Sequence, residues 1–227
     1  MGKICFYTMT HDTGFAPNPF FDYLTLATCK PQIRKSKNVK SGDWIAGWSG
    51  KRLQKKGEGK RLIYLARISE KISYNDYWND KRFEMKKPIM PPEYKKTQSF
   101  SQILKDDACH SSSCGARDYG NFDNEILYLG DNIYYDIIDH NGISYTIQLE
   151  NKSHGEDLKE HDVNGENVII CEEFYYFGEG NYLDVNYDGI EHYKPGRCSI
   201  FLNDQEKVDD FISYVRKHKN QAKIVGK

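Results

Sequence analysis

The chain has 227 residues, 38% of them hydrophobic and 29% charged, with a net charge of −1. That length holds one large domain or two small ones, and the 17 Tyr and 11 Phe, spread from end to end, argue against a disordered chain. Near-neutral charge excludes a generally basic nucleic-acid coat protein, and no run of about 18 apolar residues offers a membrane span.

Residues 3–8 read as a first strand. Residues 12–20 (Asp12-Thr13-Gly14-Phe15-Ala16-Pro17-Asn18-Pro19-Phe20) form a loop, because two prolines and a glycine break any regular period. Residues 20–28 are apolar and fit helix or strand; Pro31 ends them and opens a basic connection to Lys40. Residues 43–48 and 62–72 are strands. The first carries Trp44 and Trp48 four residues apart, hence on one face, and the second alternates Leu62, Tyr64, Ala66 and Ile68 against Ile63, Leu65 and Arg67. Ser73 N-caps a short helix through Tyr77 and Trp78.

Residues 86–120 hold Pro88, Pro91 and Pro92 and read as an irregular insertion in a single domain spanning 1–227. Strands resume at 125–129 and 132–138, and His140-Asn141-Gly142 is a hairpin turn into 143–149. Residues 168–170 open a strand towards Phe174-Tyr175-Tyr176-Phe177-Gly178, and 198–202 is the last strand. A C-terminal amphipathic helix follows. Asn203 caps it with Glu206 three residues on; Val208, Phe211, Ile212 and Val215 make its apolar stripe; Arg216, Lys217 and His218 suit its negative end. The six cysteines (5, 29, 109, 114, 171, 198) are scattered, and residues 1–5 lack a signal-peptide core, which together suggest reduced thiols in a cytoplasmic protein.

Charge is segregated along the chain. Between Lys30 and Arg61 eleven Lys/Arg face only Asp43 and Glu58, while between Glu150 and Glu191 twelve acids face only Lys152 and Lys159. The basic stretch suits phosphate, with Lys30, Arg34, Lys51 and Arg52 as candidates; the alternative is two ordinary solvated surfaces. Trp44, Trp48, Tyr64, Tyr77 and Trp78 are candidates to stack on a base, at roughly 1–3 kcal/mol per base, with Asp43 or Asn132 reading its polar edge. The competing role for strand tryptophans is core packing. In the N-terminal loop, Pro17 and Pro19 hold His11, Asp12, Thr13 and Asn18 for a pocket, or else these side chains only satisfy turn amides. Asp131, Asn132 and Tyr134, with His154 downstream, form a polar set suited to acid–base work, which makes Asp12, Asp131 and His154 the catalytic candidates. Cys109-His110-x3-Cys114 lacks the second cysteine pair usual at zinc, so neither metal nor cofactor is expected. The phosphate-binding and dinucleotide-binding glycine motifs, His-Glu-x-x-His and Gly-x-Ser-x-Gly are all absent from the sequence.

Six short runs, in this order, resemble the nucleotide modification associated domain 2 family. They are Asp12-Thr13-Gly14-Phe15-Ala16-Pro17-Asn18-Pro19-Phe20, Leu26-Ala27-Thr28-Cys29-Lys30-Pro31-Gln32-Ile33-Arg34, Gly42-Asp43-Trp44-Ile45-Ala46-Gly47, Tyr77-Trp78-Asn79-Asp80, Gly130-Asp131-Asn132-Ile133-Tyr134 and Phe174-Tyr175-Tyr176-Phe177-Gly178. The resemblance implies a genomic setting beside enzymes that modify nucleotides, in phages and bacteria, including antiviral defence. The Gly-Asp turn and its strand are also similar to barrels of the PUA/ASCH/EVE group, whose members read RNA or modified bases. The expectation is therefore an α+β protein: a PUA-like mixed β-barrel with peripheral helices and a C-terminal amphipathic helix. It would bind a nucleotide or modified nucleobase, free or in nucleic acid, through Thr13, Asn18, Lys30, Arg34, Trp44, Trp48, Trp78, Asn132 and Tyr134. The alternatives are an enzyme acting on such a base and a protein-interaction module.

Overall fold

The computed structural model describes residues 2–12, 14–86 (the Met85 side chain excepted), 161–162, 164–178, 180–186, 195–196 and 199–227, and the backbone of 134–138 and 144–148. The fold is mixed α+β. Strands β1 (Ile4–Met9), β2 (Leu24–Leu26), β3 (Trp44–Ser49), β4 (Leu62–Ser73), β7 (Asn167–Tyr176), β8 (Ile200–Leu202) and β9 (Ile224–Val225) form one seven-stranded sheet. Its order is β2-β7-β4-β3-β1-β8, with β9 added beside the end of β7. Strands β5 (Tyr134–Ile138) and β6 (Ser144–Gln148) pair separately as an antiparallel ladder, as their spacing predicts; their turn residues lie outside the described set, as does the strand expected at 125–129. The helices are α1 (Pro31–Arg34), α2 (Tyr74–Asn79) and α3 (Gln205–Lys217). Among the described residues no helix is long and apolar enough to cross a membrane.

β1 and β3 run parallel, Ile4 opposite Trp44 through Met9 opposite Ser49, and every other pairing in the sheet is antiparallel. Both are central strands and nearly continuous apolar runs, as strands covered on both faces must be. One face carries Ile4, Phe6, Trp44, Ala46, Trp48 and Leu65 under Val208, Phe211, Ile212 and Val215 of α3. The other carries Cys5, Tyr7, Ile45, Tyr64 and Ala66 under Leu24, Leu26, Ile33 and Val39. Gly47 lets the faces pack this tightly, since a Cβ there would strike Met9 Sδ and the Tyr64 ring. A third cluster seats α2 through Tyr74 and Tyr77, together with Phe83 from the turn that follows it, on Val168 and Ile170.

The expected barrel closure is not seen. The end strands β2 and β8 are three residues each and do not pair with one another among the described residues. Closing a sheet needs two edges long enough to share a staggered ladder, and these are too short. Register shifts in β4 at Ala66/Ile68 and Ile68/Glu70 bend the sheet without joining its ends. The segment 20–28, open between helix and strand in the sequence, is strand only at Leu24–Leu26, and the basic connection after Pro31 begins with the single turn of α1. Ser73 caps α2 by accepting from the Asp76 amide. At α3 the cap is Asp204 rather than Asn203: its carboxylate accepts from the Lys207 amide at 3.2 Å, three residues on.

Candidate functional site

Two loops meet where β1 and β3 end. The Gly50 amide donates to Met9 O at 2.7 Å and the Ser49 amide to Arg61 O at 2.8 Å, which draws both strand ends and the start of β4 together. Thr8 stands here, half-buried on β1. Lys30 reaches it from one side, donating from Nζ to Thr8 O at 2.9 Å and lying 5.1 Å from the centroid of the Tyr7 ring. Lys60 reaches it from the other, donating to Thr8 Oγ1 at 3.1 Å and to the Pro195 carbonyl. The Thr8 hydroxyl itself donates to Pro195 O at 2.8 Å.

Lys30 is aimed by an unusual backbone. Cys29 (φ 57°) and Lys30 (φ 46°) are consecutive left-handed residues, and neither is glycine. Such a pair costs on the order of 1–3 kcal/mol per residue and persists only where its surroundings impose it. Here the Cys29 amide donates to Asp162 Oδ1 at 2.8 Å, and the Cys29 carbonyl accepts from Arg34 Nε at 2.7 Å. Arg34 is fully buried; its guanidinium also donates to Asn167 O at 2.9 Å, Asp162 O at 2.6 Å and the Tyr74 hydroxyl. The buried pair Arg34 and Asp162 thus locks the turn that presents Lys30.

Burial holds both Lys30 and Lys60 below the ordinary lysine value, Lys30 against a smaller opposing pull from the neighbouring Cys29. No carboxylate among the described residues forms an ion pair with either. On the rim, exposed Arg52 Nη1 lies 3.3 Å from His11 Nε2, and Lys51 is exposed beside it. Behind the lysines the Tyr64 hydroxyl donates to that of Tyr7 at 2.9 Å, and burial drives both phenols above their usual range. Asp12, three residues past β1, is buried and accepts from the Tyr176 hydroxyl at 2.5 Å. Two partly desolvated ammonium groups that rest on neutral oxygens and, for Lys30, the Tyr7 ring have the chemistry to attract an anion.

The structure therefore gathers Lys30, Asp12 and the rim residues Lys51 and Arg52 at one strand end, and places the other candidates elsewhere. Arg34 is a buried tether and has no surface for phosphate. Asn18 is fully buried; its backbone pairs with Thr25, and its Oδ1 accepts from the Phe20 amide at 3.1 Å and from Lys86 Nζ at 2.9 Å, so it organises the N-terminal loop. Trp48 is 0% exposed between Phe6 (6.1 Å between centroids) and Phe211 (6.3 Å), under α3. Trp44, 5% exposed, lies at the far end of β3 and borders a groove of about 370 Å³ with Arg67, Ile212 and Arg216. Its ring is 5.8 Å from the Arg216 guanidinium. The core role thus holds for Trp48, and the expected tryptophan cage is not assembled: one ring is enclosed and the other is a strand's length from the lysines. Asp43 closes its turn, accepting from the Lys3 and Lys40 amides at 3.1 and 3.0 Å. Trp78 is half-buried on α2 and packs on the third cluster. Tyr134 begins β5; Thr13, Asp131, Asn132, His154 and the Cys109–Cys114 run lie outside the described residues. Among those described, no three His, Cys, Asp or Glu side chains are placed to hold a metal.

Sequence reasoning missed Thr8, Lys60 and Pro195. Lys60 belongs to the basic run, but nothing in that run separates it from its ten neighbours. Its partners are 52 and 135 residues away.

No curated protein and no solved structure matches the chain. The sequence profile of nucleotide modification associated domain 2 matches residues 1–126 and 119–227, which together span the whole chain. With the ordered runs from Asp12 to Gly178 lying inside that match, the chain belongs to the nucleotide modification associated domain 2 family.

Proposed function

We propose that this protein binds a nucleotide, free or within nucleic acid, by its phosphate at the joined ends of β1 and β3, in a phage- or defence-related nucleotide-modification setting. The observation that carries the reading is the meeting of Lys30 and Lys60 on Thr8, both partly desolvated and neither ion-paired to a carboxylate among the described residues. A partly desolvated charge without a counter-ion carries a cost, so a fold that rests two of them on one residue gains when an anion arrives. The strained turn at Cys29 and Lys30, braced by Arg34 and Asp162, supports the same reading, because strain of this kind is stored at working sites. The family description supports nucleotide as the class of anion. Thr13, Asn132, Tyr134 and Trp78 keep their proposed role as ligand-binding residues on grounds of sequence and resemblance. The likeness to PUA-type readers belongs to this proposal as function, since the sheet is not closed among the described residues.

The test is a thermal-shift and calorimetric titration of the full chain with nucleotides and their parent nucleosides, on the wild type and on a Lys30→Met/Lys60→Met double variant. Binding to the native state raises the melting temperature by mass action. Nucleotides should stabilise the wild type, nucleosides less, and the double variant should lose the difference while keeping its far-UV spectrum. A nucleotide response that survives both substitutions would overturn the proposal.

A further inference from the structure

Resting on that reading, we infer that the protein takes its nucleotide within a strand, and that the basic loop between β3 and β4, residues 50–61, binds the phosphate backbone of that strand.

The loop carries six Lys/Arg (51, 52, 55, 56, 60 and 61) against one acid, Glu58. That acid is spent inside the loop. Its carboxylate pairs with Arg61 at 2.5 Å and accepts from the Lys55 amide at 3.1 Å. Lys60 rests on Thr8 and Pro195. Lys51, Arg52, Lys55 and Lys56 are left on the surface, all exposed, and none is ion-paired to a carboxylate among the described residues.

The backbone holds these four cations in two fixed turns. Lys51–Leu53 is one 3-10 turn, closed by the Leu53 amide on Gly50 O at 2.9 Å. Gln54 Nε2 ties it to Ser49 O at 2.8 Å. Lys55 and Lys56 open the second turn, closed by the Glu58 amide on Lys55 O at 3.0 Å, with Gly57 at φ 87° where a type II turn requires a positive value. Each turn thus presents two adjacent cations, and a loop already ordered gives up little entropy on binding. The loop also leaves and rejoins the sheet at the strand end described above, through the Gly50 amide on Met9 O and the Ser49 amide on Arg61 O. A phosphate bound there has further cations beside it for its neighbours along the chain, and polymer affinity grows with each phosphate neutralised.

The charge is also the wrong kind of surface for a membrane. An interfacial segment sets apolar side chains beside its cations. Here Leu53 is turned in against the second core cluster, and among the described residues the one large exposed hydrophobic is Val225, on β9.

The experiment is a fluorescence-anisotropy titration of the full chain against end-labelled oligothymidylates of two to about twelve nucleotides, a span that covers ordinary single-strand site sizes. Salt is varied from 50 to 200 mM, and labelled thymidine monophosphate and phosphatidylserine vesicles are run beside the strands. Four neutralised phosphates correspond to a log–log salt slope of about −3 for a single strand, or roughly a fiftyfold loss over that range. The dodecamer should show this slope, and the mononucleotide only a few-fold loss. Lys51→Gln/Arg52→Gln and Lys55→Gln/Lys56→Gln should each remove about half of the slope. Lys37→Gln/Lys40→Gln is the matched control. It deletes the same charge from exposed positions in the segment that enters β3, a strand's length of roughly 20 Å from the loop, and should leave the slope unchanged. Affinity that does not rise with strand length, with the mononucleotide still bound, overturns the inference and leaves the nucleotide reading intact. A control pair that flattens the slope as much as the loop pairs also overturns it, as does loop-dependent binding of the vesicles without a length-dependent response to the strands. No binding of mononucleotide or strand overturns both.

Discussion

Truncating Trp48 separates a core tryptophan from a ligand-stacking one. The side chain is fully enclosed on β3, tilted 50° against Phe6 and 47° against Phe211 of α3. A tryptophan of this kind buries roughly 150–250 Å², which at about 25 cal/mol per Å² is ~4–6 kcal/mol of transfer free energy before the alanine methyl is subtracted. The measured cost of Trp48→Ala should be about 3–5 kcal/mol, its exact value set by how far α3 collapses into the cavity. For a domain of this size each kcal/mol lowers the melting temperature by about 2–4 °C, so a fall of roughly 6–20 °C is expected. Urea unfolding followed by far-UV circular dichroism is the assay, because deleting one of three tryptophans compromises fluorescence. Trp48→Phe, which keeps a ring between Phe6 and Phe211, should recover most of the loss. A Trp48→Ala protein within about 1 kcal/mol of wild type that no longer responds to nucleotide would refute the packing argument and return Trp48 to a binding pocket.

Two further predictions concern the tether and the pH response. At Gly165 an added Cβ lands on the Arg34 guanidinium, so Gly165→Ala should displace it from the carbonyls of Cys29, Asp162 and Asn167. Each buried acceptor left unpaired costs about 1–3 kcal/mol, read as a lower urea midpoint; an unchanged midpoint would show that the segment relaxes freely. The same variant should weaken phosphate binding only indirectly, by loosening the turn that carries Lys30. Alkaline stability follows from burial. It pushes Cys5 up to about 12 from 9.0 and, against the lowering pull of Arg34, Tyr74 up to about 12 from 10.0, and it raises Tyr7, Tyr64 and Cys171 in the same sense. These groups keep in the fold protons that the unfolded chain releases at ordinary values. Their stability is therefore complete below about pH 9 and lost as pH climbs towards 12, each group contributing up to about 1.4 kcal/mol per pH unit. Lys30 and Lys60, lowered by burial, act in the opposite sense and offset part of the loss below 10.5. Urea midpoints that do not fall between pH 9 and 11 would contradict this assignment of buried thiols and phenols.

Most of the strand and helix pattern was legible because it is written in local periods. The alternation over residues 62–72 predicted β4, the 3.6-residue stripe predicted α3, and Ser73 announced α2. The misses are places where a long-range partner decides. Sheet closure depends on how two three-residue edges are placed, which no period encodes. The cap of α3 shifted by one residue because Asn203 and Asp204 are both good caps, and only the direction of the entering chain selects between them. The lysine pair depends on a left-handed turn at Cys29 and Lys30 that neither residue type favours, and on contacts spanning 22, 52 and 135 residues.

The sequence nevertheless held a constraint that bears on the tryptophans. An amphipathic helix with Val208, Phe211, Ile212 and Val215 on one stripe must bury that stripe against an apolar sheet face. Trp44 and Trp48, on one side of a central strand, are such a face, and the helix covers it. Rings that satisfy α3 cannot also present open faces to a base without giving up the packing. The cations sort by the same subtraction. Arg34 has its carbonyls, Arg61 has Glu58, Arg82 has Glu70 and Asp80, and Arg216 has Glu173. Once residues are credited to the partners the fold already provides, Lys30 and Lys60 remain as half-buried lysines that share one residue, Thr8, with no ion pair among the described residues, whereas half-buried Lys71 rests on the Ser36 and Val39 carbonyls. The function is sought there because that is where the fold holds charge it does not itself neutralise.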